Sequence, residues 1–151
     1  MRINPDITMY SALLQRTEDG LFLEFPELPG LSVRLADPGD AASVAHEVLN
    51  ERIQNMLEQG EVPTKPGSFH ESGGDARFAV ALRPDNAVAL QMRWIRLEQG
   101  LTLTEVAQRM GVSRQRISAL ETTARNWTVA TLLRLSDALD AELEIVLRRR
   151  R

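Results

Sequence analysis

The chain has no cysteine, one tyrosine and two tryptophans in 151 residues. The first absence excludes disulfides and zinc–thiolate sites. The two histidines, His46 and His70, lie far apart among polar neighbours with no second ligand at metal-binding spacing, so no metal or other cofactor is expected. No apolar run approaches the ~20 residues needed to cross a bilayer. The start of the chain lacks the basic-then-apolar pattern of a secretory leader. A cytoplasmic protein with no membrane partner is therefore expected. Lysine is nearly missing too: Lys65 stands alone among eighteen basic residues. What remains is ordinary for packed domains, with 43% hydrophobic and 26% charged residues, and the length suits one domain or two small ones.

Charge is unevenly spread. Residues 1–86 carry seven Lys/Arg against fourteen Asp/Glu, and residues 87–151 carry eleven Arg against seven Asp/Glu. An acidic half joined to a basic half predicts different partners: a basic protein for the first and phosphate for the second. Arg148 to Arg151 supply the whole basic excess, so DNA affinity is expected to be modest and salt-sensitive.

The densest pattern runs from Leu101 to Glu121. Val106, Ala107 and Met110 recur at helical spacing, as do Ile117 and Leu120. Between the two runs, Gly111 can adopt the left-handed ending of a helix and Ser113 can cap the next. Thr102 with Glu105 forms a capping box at the start. Arg114, Gln115 and Arg116 then occupy the first turn of the second helix with no core to join. This is the layout of a helix-turn-helix that enters the major groove by its second helix. An αα-hairpin of purely structural role is the bland alternative, and the exposed Arg-Gln-Arg weighs against it because these side chains pair with guanine and adenine edges.

From Met92 to Leu139, including the run Arg125-Asn126-Trp127-Thr128-Val129-Ala130-Thr131-Leu132-Leu133, the chain resembles the Cro/repressor-type helix-turn-helix family. The resemblance implies a five-helix domain. Arg114, Gln115 and Arg116 are then expected at base edges, and Ser113, Ser118, Arg125 and Asn126 at phosphates. Leu103, Thr123 and Trp127 stand where that family commonly has glutamine, glycine and proline, and the first of these removes a phosphate contact.

The N-terminal half has a β signal. Met9 to Gln15 and Leu21 to Phe25 flank a Glu18-Asp19-Gly20 turn, and Leu31, Val33 and Leu35 alternate after Pro26 and Pro29-Gly30. Asp37 and Pro38 open a helix whose apolar stripe runs through Ala45, Val48/Leu49, Ile53 and Met56/Leu57 to Gly60. Residues 62–74 hold two Pro, three Gly and two Ser and are expected to form a mobile loop. Phe78, Val80 and Leu82 alternate again, so Arg77 to Arg83 is expected to return to the sheet.

Tyr10-Ser11-Ala12-Leu13-Leu14, Glu18-Asp19-Gly20-Leu21-Phe22 and above all Phe25-Pro26-Glu27-Leu28-Pro29-Gly30-Leu31 resemble the HicB antitoxin family. The resemblance implies a partial ribonuclease-H-like fold that is not a nuclease. It also implies a small basic HicA-type mRNA-cleaving toxin as partner, and repression of the antitoxin's own operon. Tyr10, Phe25, Pro26, Glu27, Leu28 and Leu31 are the expected toxin contacts. Arg34-Leu35-Ala36 departs from that family's frequent Gly-Asp-Thr. Catalysis is not expected: Glu18, Asp19, Glu24 and Glu27 sit in turns and on a strand, poorly placed to converge on two Mg²⁺ ions.

Two features predict self-association. Val88, Met92 and Ile95 form the stripe that a helix-turn-helix core requires, while Leu90, Trp94 and Leu97 form a second one. Glu142 to Arg148 alternates with Leu143, Ile145 and Leu147 on one side. It reads as a strand paired across a twofold or as the end of the last helix, and the β-branched Ile145-Val146 with the Asp140 interruption favour the strand. Trp94, Leu97, Leu143, Ile145 and Leu147 are thus the expected dimer contacts.

The combined expectation is an α+β chain. Residues 1–83 form a small antiparallel sheet with one packed helix, and residues 84–151 form a helix-turn-helix domain with a C-terminal strand. It would act as a non-enzymatic antitoxin that binds a HicA-type toxin and operator DNA as a homodimer or higher oligomer. The rival expectation is a stand-alone helix-turn-helix repressor with a ligand- or protein-sensing N-terminal domain.

Overall fold

The computed structural model describes residues 8–67, 76–122, 126–147 and 149. It is α+β, as expected: strands β1 (Met9–Thr17), β2 (Gly20–Glu24) and β3 (Ser32–Leu35), helix α1 (Ala41–Glu58), strand β4 (Ala76–Ala81), then helices α2 (Pro84–Glu98), α3 (Leu103–Met110), α4 (Arg114–Thr122) and α5 (Val129–Ala138). The sheet order is β3-β2-β1-β4, and every neighbouring pair is antiparallel.

Local chemistry sets these boundaries. Thr17 pairs with Gly20 across the Glu18-Asp19 turn. Pro26 and Pro29 cannot donate to a ladder, and the chain instead folds into consecutive turns, with Leu28 N donating to Phe25 O at 2.9 Å and Leu31 N to Leu28 O at 3.1 Å. Asp37 accepts from Gly39 N at 2.7 Å and opens a single 3₁₀ turn, Pro38–Asp40, that runs into α1. Helices α1, α2, α3 and α5 all end the same way, with Gly60, Gly100, Gly111 and Asp140 in the left-handed region and a bond from the following amide back to the last turn.

Two cores result. In the first, α1 lays Ala45, Leu49, Ile53 and Leu57 across one sheet face, against Tyr10, Ala12, Leu23 and Val80, with Phe25 and Leu28 closing one end. The second core joins Met92, Val106, Ala107, Met110, Ile117, Leu120, Leu135, Ala138 and Leu139. Helix α2 belongs to both: Met92 enters the helical core, whereas Ala89, Leu90 and Trp94 enter the sheet core. The boundary expected at Pro84 therefore coincides with the start of a shared helix. The expectation that Leu90 and Trp94 face a second copy is corrected, because both are buried inside this chain. Leu97, the third member of that stripe, is exposed.

Buried amides tie α2 to the sheet. Asn50 Oδ1 accepts from Arg83 N at 2.6 Å and from Asn86 Nδ2 at 3.1 Å, while its Nδ2 donates to His46 O at 2.8 Å and Ala81 O at 3.3 Å. Both asparagines lie in the interior, with both side-chain polar atoms of Asn50 and the amide nitrogen of Asn86 bonded, as buried amides require.

The loop expected to be mobile over 62–74 is pinned in its first part. Tyr10 Oη donates to Thr64 O at 2.8 Å, and Trp94 Nε1 donates to Pro63 O at 3.0 Å. Lys65 pairs with Glu98 and lies 5.7 Å from the centre of the Trp94 ring. Residues 68–74 of that loop, including His70, lie outside the described residues. At the other end, α5 stops at Ala138, so residues 143–147 do not prolong it. Among the described residues they form no strand.

Candidate nucleic-acid interface

The face built by α3, its turn and α4 follows from capping chemistry. Thr102 Oγ1 accepts from Glu105 N at 3.1 Å, and the Glu105 carboxylate accepts from Thr102 N at 2.7 Å. The bond from Thr102 N, and then the one that Thr102 Oγ1 donates to the same carboxylate at 2.9 Å, hold the Glu105 carboxyl below the usual glutamate range. Gly111 takes φ 65° and ψ 37°, a conformation that costs other L-residues ~1–2 kcal/mol. Val112 N then donates to Ala107 O at 3.0 Å. Ser113 Oγ accepts from Arg116 N at 3.1 Å, which starts α4.

Ser113, Arg114, Gln115 and Arg116 are all exposed at the N-terminal end of α4. The Arg114, Gln115 and Arg116 side chains have no intrachain partner among the described residues. Ile117 and Leu120 on the opposite side are buried in the helical core. Two guanidiniums and an amide thus project from one turn, the donor-rich set suited to purine edges. Ser118 is half-buried, and its carbonyl accepts from Thr122 Oγ1 at 2.9 Å. Asn126 is exposed; Arg125 lies outside the described residues. Thr128 caps α5 by accepting from Thr131 N at 3.1 Å.

What holds this face in place was not read from the sequence. Glu121, in the last turn of α4, is 2% exposed. Its carboxylate accepts from Arg96 Nε at 2.5 Å and Nη2 at 3.0 Å, and from Arg93 Nε at 3.3 Å. Arg96 Nη1 also donates to Leu101 O at 2.9 Å, fixing the α2–α3 turn. Arginines further bind α3 and α5 reciprocally: Arg109 Nη1 donates to Ala138 O at 2.9 Å, and Arg134 donates to Met110 O. Each thereby covers the unpaired carbonyls that end the other helix. A signal was present in the pattern. Glu121 falls four residues after Ile117, on the apolar side of α4, where an acid requires a buried cation.

The six expected toxin contacts divide. Tyr10, Phe25 and Leu28 fill the sheet core, at 0%, 2% and 3% exposure, so these three are corrected from partner surface to core. The Tyr10 phenol is raised above its ordinary range by burial and then by the nearby Glu27 carboxylate. Glu27 is half-buried, with Oε1 accepting from Ser11 N at 3.4 Å. Pro26 is exposed and Leu31 half-buried. The proline-rich string is therefore first a turn that closes the core, and it leaves a small surface. Among the described residues no group of three or more His, Asp or Glu could hold a metal ion, and no helix is long and apolar enough to cross a membrane.

Residues 92–146 match the helix-turn-helix family. The matched segment begins inside α2 and takes in α3, α4, α5 and the residues after it. No curated protein matches the chain. A chain of a solved structure described as "Structure of HipA-HipB-O2-O3 complex" is similar at 22% identity, over 45% of this chain and 96% of that one, with a TM-score of 0.40. The C-terminal part of this protein is a helix-turn-helix unit.

Proposed function

We propose that this protein is an antitoxin with two roles: it neutralises a small basic HicA-type toxin through its sheet module, and it represses its own operon through the helix-turn-helix. The observation that carries the second role is the capped, exposed first turn of α4, with Arg114, Gln115 and Arg116 free of side-chain partners among the described residues, on a matched helix-turn-helix. Arg114, Gln115 and Arg116 read bases, while Ser113, Ser118, Arg125 and Asn126 contact phosphate. The first role is supported by the resemblance to HicB antitoxins over Phe25 to Leu31 and by the acidic balance of residues 1–86. Pro26, Glu27 and Leu31 are the part of that string left to meet a partner.

The protein acts as a homodimer. Five of the large hydrophobics exposed among the described residues lie together in sequence at the C-terminal end: Val129, Leu133, Ile145, Val146 and Leu147. Exposed apolar residues concentrated in one part of the chain favour an interface there. Leu143, which lines a groove with Val88, Ile95 and Leu132, extends the same region. Pairing of 143–147 across a twofold gives this segment a strand partner, and sets two α4 helices for successive half-sites.

Co-expression with the short reading frame beside this gene tests the proposal. Growth arrest by the neighbour alone, rescue by this chain and co-purification of the two are the expected results. A harmless neighbour that forms no complex removes the toxin-binding role and leaves a stand-alone repressor.

A further inference from the structure

We infer that Arg93 is a positioning residue that couples the sheet module to DNA binding; the inference rests on the DNA-binding role proposed above. Arg93 is 4% exposed and donates to three separate segments. Nη2 reaches Leu57 O at 3.1 Å in the last turn of α1, and Nη1 reaches Glu61 O at 2.6 Å in the residues directly after that helix. Nε reaches Glu121 Oε2 at 3.3 Å, in the last turn of α4. The negative end of the α1 dipole and the Glu121 carboxylate thus share one buried cation.

The neighbouring bonds extend the link into the sheet. Directly after α1, the carbonyls of Glu61, Pro63 and Thr64 accept from Arg93, Trp94 and Tyr10 respectively. Arg93 and Trp94 belong to α2, whereas Tyr10 belongs to β1. Residues 61–64 therefore form a strap clamped from the sheet on one side and from the shared helix on the other. If the strap lifts, Arg93 loses a partner at Glu61, and its buried charge leans on Leu57 O and Glu121 alone. Held at Glu61, the guanidinium keeps its Nε turned to Glu121, so the seat of the strap and the seat of α4 favour one another. Arg93 touches no DNA in this arrangement; it acts through Glu121. By reciprocity, a seated strap strengthens DNA binding, and bound DNA stabilises the strap by the same factor.

The test is amide hydrogen exchange over residues 53–64 of the full chain, with and without a duplex spanning the DNA immediately upstream of its own reading frame. DNA is expected to slow exchange in this stretch, none of whose residues is assigned to DNA. In parallel, Arg93→Met keeps the Arg96–Glu121 pair and should bind the duplex at least about fivefold more weakly. Its salt dependence should be unchanged, because no phosphate contact is lost, and the DNA-induced slowing should disappear. Tyr10→Phe removes the Thr64 bond from within the sheet and should weaken DNA binding in the same direction. Unchanged exchange over 53–64 in the unaltered chain, or full affinity in a folded Arg93→Met variant, overturns the inference. Should Arg93→Met fail to fold, the exchange result and Tyr10→Phe decide it. An unaltered chain that binds no duplex at all overturns the proposed DNA-binding role, and this inference with it.

Discussion

Replacing Glu121 by alanine removes the acceptor for two guanidiniums, one of which, Arg93, is itself 4% exposed. Breaking a buried pair by deleting one partner costs ~3–5 kcal/mol, chiefly because the other charge stays buried and uncompensated. Two details place this site near the lower end. Arg93 retains Leu57 O and Glu61 O, and Arg96 retains Leu101 O. A loss of about 3 kcal/mol in a chain of this size corresponds to a fall in Tm of roughly 6–12 °C. Thermal unfolding followed by far-UV circular dichroism measures it, with Glu142→Ala, an exposed acid, as the surface control. A fall in Tm no larger than the control's would show that Glu121 does not anchor α4, and would refute the argument that buried charge, and not apolar packing alone, sets this helix.

Three further outcomes follow from the same geometry. Gly111→Ala meets no steric clash but forces alanine into φ 65°, so it should destabilise by about 1 kcal/mol in urea unfolding; an unchanged midpoint would mean that the turn is not held left-handed. Glu105→Gln tests the capping box through pH. The folded-state carboxyl is lowered, so its contribution is complete above the unfolded glutamate range and is lost as pH falls through the folded value. The parent should therefore be more stable than the variant at pH 7, and the gap should close on acidification below about pH 4; a gap that widens on acidification would contradict the assignment. Gln115→Ala should erase discrimination among operator variants while sparing affinity for random duplex, whereas equal loss on both would take Gln115 off the base-reading list.

Much of this was legible because local rules agreed. The capping box at Thr102, the left-handed Gly111 and the apolar spacing of Val106, Ala107, Met110, Ile117 and Leu120 all specify the same hairpin of helices, and the structure has it. The strands were equally readable, since Pro26, Pro29 and the Glu18-Asp19 turn punctuate an alternating pattern. Polarity alone was a poor guide elsewhere. Trp94 and Leu90 read as a surplus apolar stripe because the sequence does not reveal that one helix serves two cores. Phe25 and Leu28 read as partner surface because the proline-rich string carries no sign of which way its side chains turn, and Tyr10 because alternation along β1 does not say which sheet face a helix will cover. The loop after α1 has the composition of a flexible linker, yet three side chains distant in sequence hold its carbonyls. Long-range hydrogen bonds to backbone leave no periodic trace, so Arg93 and Arg96 emerge only once the elements are packed, whereas Glu121 on the apolar side of α4 leaves a sign in the pattern.

The measurement that bears most directly on the account is fluorescence anisotropy of a labelled duplex from the region upstream of this reading frame, titrated with the full chain beside a scrambled duplex of equal composition. The account predicts tighter binding to the native duplex, an advantage that disappears in Arg114→Ala and Arg116→Ala variants of unchanged thermal stability. Equal affinity for both duplexes, or an advantage that survives the loss of both arginines, would contradict the claim that the first turn of α4 reads DNA.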